Sequence, residues 1–345
     1  MGLRSEMPNP SILCIPGRLA RSPVRRRQAG LLRMALAVLL AAVGLSACGS
    51  QRDDLPVLPS PRPEDRILIV APHIDDESIA VAGYASDALA AGAQVFVVYM
   101  TAGDGGRIPA ELGDRTLLPR PGDFLHEGHV RIAEAYAAMA RLGVPQANVF
   151  VLGYPDGDLE RMMSHPEKVI TSRKTRDAAV PYGVALSPGA AYRVSSVEAD
   201  LGQVLEAASP TRIIAPSVLD AHPDHRSTAI LVWARLAGLS RRPALLSYLV
   251  HFAFFPEPFR LAPRRWLLPP PGLKGLAWRS YPLSAATRTR KQAVLRIYKS
   301  QRRDPYLRLL IDAFVRRNEL FLEEAPRTGA PPQAAAKERL RLWKA

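Results

Sequence analysis

Short apolar runs alternate with amphipathic stretches along most of the chain, and the alternation predicts strands and helices in turn. Residues 67–71 (Ile-Leu-Ile-Val-Ala) form an unbroken apolar run, the pattern of a strand buried on both faces. Residues 76–91 have helical spacing, with Asp75 or Asp76 as N-cap and Gly92 at the end. Further strands are predicted at 94–101, 148–154 and 211–217, and further helices at 126–142, 196–208 and 227–239. Residues 160–194 lack either period and read as an insertion or a mobile lid. Strand character resumes at 244–255, and a Pro-rich loop runs on to Pro282. Two helices close the domain, one entered by Ser284 and the other by Asp304-Pro305, an N-cap followed by proline at the first helical position. Alternation of this kind predicts an α/β fold, a Rossmann-like three-layer domain with a largely parallel sheet over residues 65–325. The Ala/Pro-rich tail at 326–345 is expected to be disordered.

Composition adds one correction to a first impression. The net charge of +14 suggests a nucleic-acid binder, but the charge is unevenly placed. Residues 1–48 carry +6, residues 49–258 carry −6, and residues 259–345 carry +14. The central segment, which holds the candidate chemistry, is acidic, so no nucleic-acid partner is expected there. The basic C-terminal third reads as solvated helix faces or as a surface toward anionic lipid or an anionic glycan.

The leader is basic from Arg25 to Arg33, then apolar and rich in small residues from 34 to 47, and it ends Leu45-Ser46-Ala47-Cys48. The apolar run is shorter than the ~20 residues a membrane span needs. It resembles a bacterial lipoprotein signal, with Cys48 as the residue to be acylated. That resemblance implies export, a membrane anchor at lipidated Cys48 in the cell envelope, a signal peptide over 1–48 and a flexible tether over 49–64. The stretch before Arg25 is long for such a signal and places the expected start at Val24.

Two clusters stand where apolar runs end: His73-Ile74-Asp75-Asp76-Glu77 and His222-Pro223-Asp224-His225. In a parallel α/β sheet, ligands bind beyond the carboxyl ends of the strands. A tight turn lets His73 and Asp76 face one cation, and His225 arrives from a neighbouring strand end. Two imidazoles and a carboxylate suit zinc with open positions, and ferrous iron accepts the same set. Asp75, held beside these donors, is placed to act as a base for water, and His222 to donate a hydrogen bond to an oxyanion. Asp224 is expected to fix the tautomer of His222 and favour its charged form. Glu77 is expected to support the turn. Asp104 and Asp156 lie in Gly-Asp-Gly and Pro-Asp-Gly, and read equally as turn residues or as substrate contacts. Arg107 and His251 are further candidate substrate contacts. The glycines at 103–106 follow the second strand and lack the dinucleotide spacing.

Ala71-Pro72-His73-Ile74-Asp75-Asp76-Glu77 resembles the first motif of the LmbE-like or PIG-L family of zinc-dependent N-deacetylases, usually Ala-His-Pro-Asp-Asp-Glu, and residues 222–225 match its His-Pro-Asp-His motif. Thr101-Ala102-Gly103-Asp104, Gly153-Tyr154-Pro155-Asp156-Gly157, Lys291 and Ser300-Gln301 add to the likeness, which spans 65–302. The resemblance implies His73, Asp76 and His225 as metal ligands, Asp75, His222 and Asp224 as catalytic residues, zinc as cofactor, and an N-acetylated sugar or glycoconjugate as substrate. An amidase for another acylated amine and a glycan-binding lipoprotein with a structural metal are the rival readings.

Overall fold

The chain is described over residues 54–324, apart from 115 and 240, in a computed structural model. The expected signal with Cys48 and the expected tail lie outside the described residues. Five strands run parallel: β1 (Arg66–Ala71), β2 (Gln94–Thr101), β3 (Val149–Tyr154), β4 (Arg212–Pro216) and β5 (Ala244–Tyr248). They lie in the order β3-β2-β1-β4-β5. Beyond β5 the sheet gains β7 (Asn318–Glu323), antiparallel to β5, and then β6 (Trp278–Pro282), antiparallel to β7. Register sets Ile67 of β1 between Val95 and Arg212.

The helices are α1 (Asp76–Ala90), α2 (Arg107–Asp114), α3 (Pro121–Leu142), α4 (Leu159–Ser164), α5 (Val194–Ala208), α6 (Pro223–Ala237), α7 (Ala285–Leu295), α8 (Lys299–Arg302) and α9 (Pro305–Ala313). Helices α1, α3 and α7 pack together, and α5 packs on α6. The sheet lies between these two groups and gives the expected three layers. Ile67 to Ala71 are essentially unexposed, which is why β1 is apolar without alternation. Ser284 Oγ accepts the Thr287 N–H at 3.0 Å, and Asp304 Oδ1 accepts Tyr306 N–H at 2.7 Å, so both expected caps form. Among the described residues no helix is long and apolar enough to cross a membrane.

Several expectations need correction. Helix α3 begins at Pro121 and α6 at Pro223, earlier than the periodicity indicates, because proline at the first helical position extends each helix into a segment read as loop. Helix α2 and strands β6 and β7 fall in stretches with no strand or helix expected. β5 ends at Tyr248, and only a bridge between Phe252 and Phe255 follows it. The stretch expected as a flexible tether is fixed where it is described: Val57 bridges Ser280, Leu58 N–H donates to Ser280 O at 2.8 Å, and Leu58 is buried. Residues 160–194 are no lid. Tyr182 and Tyr192 are fully buried, and Leu186 N–H donates to Val151 O of β3 at 2.8 Å.

A buried ion pair locks α1 to the antiparallel strands. Glu319 accepts the N–H groups of Gly83 and Tyr84 at 2.8 and 2.7 Å and pairs with Lys291 Nζ at 2.6 Å. Lys291 Nζ also donates to Ile79 O, at 2.7 Å. A Cβ at Gly83 would lie 2.5 Å from Leu283 Cδ2 and 3.0 Å from a Glu319 oxygen, so Leu283 would have to shift to admit one.

Candidate metal and catalytic site

Strand order reverses between β1 and β4, and the crevice at their carboxyl ends holds both motifs. His73 leaves β1, and its backbone N–H donates to Asp76 Oδ2 at 3.0 Å. His222 is the N-cap of α6, so Asp224 and His225 lie in that helix's first turn. Asp76 Oδ2 joins the two motifs, 3.2 Å from His73 Nδ1 and 3.1 Å from His225 Nε2. Donors on a tetrahedral zinc at about 2.0–2.1 Å stand roughly 3.3 Å apart, so these separations fit one ion.

The other ring nitrogen of each histidine faces a second carboxylate. His73 Nε2 is 3.2 Å from Asp156 and 3.3 Å from Asp224, and His225 Nδ1 is 3.2 Å from Asp220. Metal-ligating histidines are commonly oriented by a carboxylate behind the ring. Neither ring nitrogen of buried His225 has a hydrogen bond of proper alignment, although carboxylates stand near both. A buried, orphaned imidazole beside a carboxylate is what a cation would satisfy. His73, Asp76 and His225 therefore fit a divalent metal. Among the described residues, the donor sets that lie within 4.8 Å of one another are His73 with His222 and His225, Asp76 with His225 and His251, and His73 with Asp156 and Asp224.

Electrostatics support the same fit. Burial resists charging His225, but Asp220 and Asp76 outweigh it and raise its pKa to about 9. Burial likewise opposes charge on His73, and Asp156, Asp224 and Asp76 together lift its pKa well above the usual value. Asp76 is held well below the carboxylate range, against burial, by His225 and His73. Asp220 is lowered to about 2, again against burial, chiefly by His225. Protons on the rings thus balance the carboxylates when no cation does so.

Asp75 occupies the turn between His73 and α1 with φ of 131°. For a non-glycine residue this costs on the order of 1–3 kcal/mol. Asp75 takes the N-cap position, yet its side chain makes no capping bond. Glu77 instead accepts the Asp75 N–H at 3.2 Å and is itself held by Ser78 and Tyr298, the support expected of it. The Asp75 carboxylate lies in a cavity of about 240 Å³ with His73, Asp76, Asp156, His222 and His251. Burial raises it to about 8, while Arg131, 3.4 Å away, pulls it down.

Arg131 also donates to Ile74 O and to Gly103 O. At Gly103, where φ is 70°, the guanidinium occupies the space a Cβ would need.

Other candidates lie elsewhere than expected. The Asp224 carboxylate does not meet the His222 ring, because it accepts the N–H groups of Gly157 and Leu159 at 2.6 and 3.1 Å and faces His73. His222 Nδ1 accepts the Asp224 backbone N–H at 3.2 Å, which leaves a proton for Nε2. Burial and the neighbouring histidines hold His222 near a pKa of 3, so it is a neutral donor and not the charged one expected. Asp104 does not line the cavity. It accepts Tyr182 O–H at 2.6 Å and Asp156 N–H at 3.2 Å, and burial, with Asp156, raises it to about 7. Arg107 is exposed and pairs with Glu111 at 2.6 Å, and it is not among the cavity-lining residues, although Gly105 and Gly106 just before it are. Asp156 and His251 do line it.

Sequence reasoning missed Asp220 and Arg131. Asp220 accepts the N–H groups of His222, Val250 and His251, besides facing His225.

With this geometry in place, a model of the GlcNAc-PI de-N-acetylase family, PIG-L, matches residues 68–236. Similar solved structures include a conserved protein from Thermus thermophilus, at 22% identity and TM-score 0.45 over 77% of this chain and 98% of that one. The A40926 pseudoaglycone deacetylase matches at 18% identity and TM-score 0.48, over 77% and 100%. The N,N'-diacetylchitobiose deacetylase from Pyrococcus horikoshii matches at 20% identity and TM-score 0.44, over 74% and 82%. No curated protein matches the chain.

Proposed function

We propose that the chain, whose residues 68–236 match the PIG-L family model, is a divalent-metal hydrolase that removes the N-acetyl group from an N-acetylglucosamine-type sugar or glycoconjugate. The family's description as GlcNAc-PI de-N-acetylases supports the acetyl-sugar part. The observation that carries the chemistry is Asp75, whose side chain makes no capping bond, in a strained turn that lines the same cavity as His73 and Asp76.

His73, Asp76 and His225 would hold the metal, with zinc the ion that best suits the donor set. Such an ion supplies Lewis acidity toward the amide carbonyl and makes water a better nucleophile. Asp75 takes the proton of the attacking water and returns it to the departing amine nitrogen, so acetate and a free amine leave with the proton count balanced. Neutral His222 donates from Nε2 to the oxygen that becomes negative. Asp156 and Asp224 hold the His73 ring, and Asp220 holds that of His225. The apolar wall of Leu307, Leu310 and Ile311 favours one variation, an acylated amine that carries an apolar group.

Acetate release from a panel of N-acetylated sugars, with and without a chelator, tests the reading. Release that the chelator abolishes and zinc restores is expected, and no release from any acylated amine by metal-loaded protein would overturn it in favour of a binding role. Envelope location through acylated Cys48 is part of the same proposal. Labelling with a fatty-acid probe should mark the wild-type chain and spare Cys48→Ala; equal labelling would refute that anchor.

A further inference from the structure

Beyond the site, the segment after β5 forms an aromatic projection. Phe254 is 89% exposed and Tyr306 of α9 is 59% exposed. Phe259 stacks on Tyr306 with ring centroids 5.4 Å apart, and Leu261 and Leu309 are exposed beside them. Phe252, Phe254, Phe255, Pro258, Phe259 and Tyr306 border an open apolar hollow of about 580 Å³. The projection is built rather than loose: buried Arg316 donates to Pro258 O and Ala313 O, and Arg317 N–H donates to Arg265 O.

Charge around it is mostly positive, although Glu257 lies on the rim of the hollow. Residues 252–275 contain Arg260, Arg264, Arg265 and Lys274 against Glu257 alone. All four basic side chains are exposed, as are Arg308 on α9 and Arg317, whose guanidinium lies 5.0 Å from the Trp266 ring. On α9 and its cap the acids are engaged, Asp304 with backbone N–H groups and Asp312 with Arg302.

We propose that this surface docks on an anionic lipid bilayer, with Phe254, Phe259 and Tyr306 entering the headgroup boundary and the surrounding arginines meeting lipid phosphates. Exposed aromatics ringed by long cationic side chains match both phases of that boundary. An anionic glycan offers the charge but no apolar phase. The chain's own segment 325–345 carries five basic residues and one acid, and a second copy presents the same positive face, so both are repelled. Docking here brings the site mouth to the membrane, because Leu307, Leu310 and Ile311 of the same helix line the cavity that holds Asp75. The docking does not rest on the reaction proposed above.

The test needs a local readout, since residues 34–47 are apolar and can bind lipid themselves. The full chain with Cys14→Ser, Cys48→Ser and Phe254→Cys is labelled at residue 254 with a nitrobenzoxadiazole dye. It is mixed with vesicles of phosphatidylcholine, with or without phosphatidylglycerol. A blue shift and protection from acrylamide on the anionic vesicles are expected, with no change for the same dye at Ala207→Cys, an exposed position beside Arg66 at the amino end of β1. Arg260→Gln with Arg264→Gln should weaken the vesicle titration by roughly 30-fold. An unshifted dye at residue 254 on anionic vesicles, an equal shift at residue 207, or a shift produced only by a soluble polyanion or acidic protein would each overturn the proposal.

Discussion

Helix α1 touches two buried charge clusters. Its amino end carries Asp76 into the crevice with His73 and His225, and its middle meets Lys291 and Glu319. Around Lys291 donors and acceptors match locally: the Glu319 oxygens take one ammonium and two helix N–H groups, and the ammonium also reaches the Ile79 carbonyl. In the crevice they do not match. Carboxylates surround the imidazoles, His225 lacks an aligned partner, and Asp75 is kept from capping the helix that it begins. Buried charge that satisfies itself is structure, whereas buried charge arranged around an unmet need marks a place for a ligand.

Removing the proton carrier breaks the comparison most sharply. Asp75→Asn preserves size and tolerates the turn, because asparagine accepts positive φ better than most residues. Turnover should fall about 10²- to 10⁴-fold with metal content and melting temperature unchanged. Acetate release measured beside elemental analysis decides it, and undiminished turnover would remove Asp75 from the mechanism.

The opposite pattern is expected at the other cluster. Lys291→Met leaves Glu319 buried without its counter-charge, a loss of about 3–5 kcal/mol in denaturant unfolding. Adding Glu319→Gln should recover part of that loss, since the uncompensated charge goes with it. Metal affinity should stay the same in both variants, and a large change in it would mean that the two clusters are coupled along α1.

How much of this was legible varied with the kind of constraint. β1 and β2 were legible because strands buried on both faces must be apolar throughout. β7, Asn318–Glu323, was not, because it begins with Asn318 and Glu319, whose burial depends on Leu267, Ser280 and Lys291. The ligand residues could be read because each motif is local: His73 and Asp76 stand three residues apart, and His225 closes a four-residue motif. Arg131 had a faint signal, a guanidinium on the same helical stripe as buried Phe124, Gly128 and Ala135. Asp220 had little, since it stands just outside the His222–His225 motif and two of its partners, Val250 and His251, are distant in sequence and meet it only at the strand ends.

Asp220 therefore gives the finest test of the contrast. Its carboxylate touches His225 Nδ1 and not the place a metal would take, so it acts through the ring it orients. Asp220→Asn keeps an acceptor for the backbone N–H groups of Val250 and His251 but removes the negative charge behind the imidazole. Zinc affinity, measured by competition with a chromogenic chelator, should weaken about 10- to 100-fold, and turnover at saturating zinc should recover most of its wild-type value. A purely packing role would lower the melting temperature and leave affinity intact. Unchanged affinity would thus return Asp220 to the class of Glu319, a buried acid occupied entirely with holding the fold.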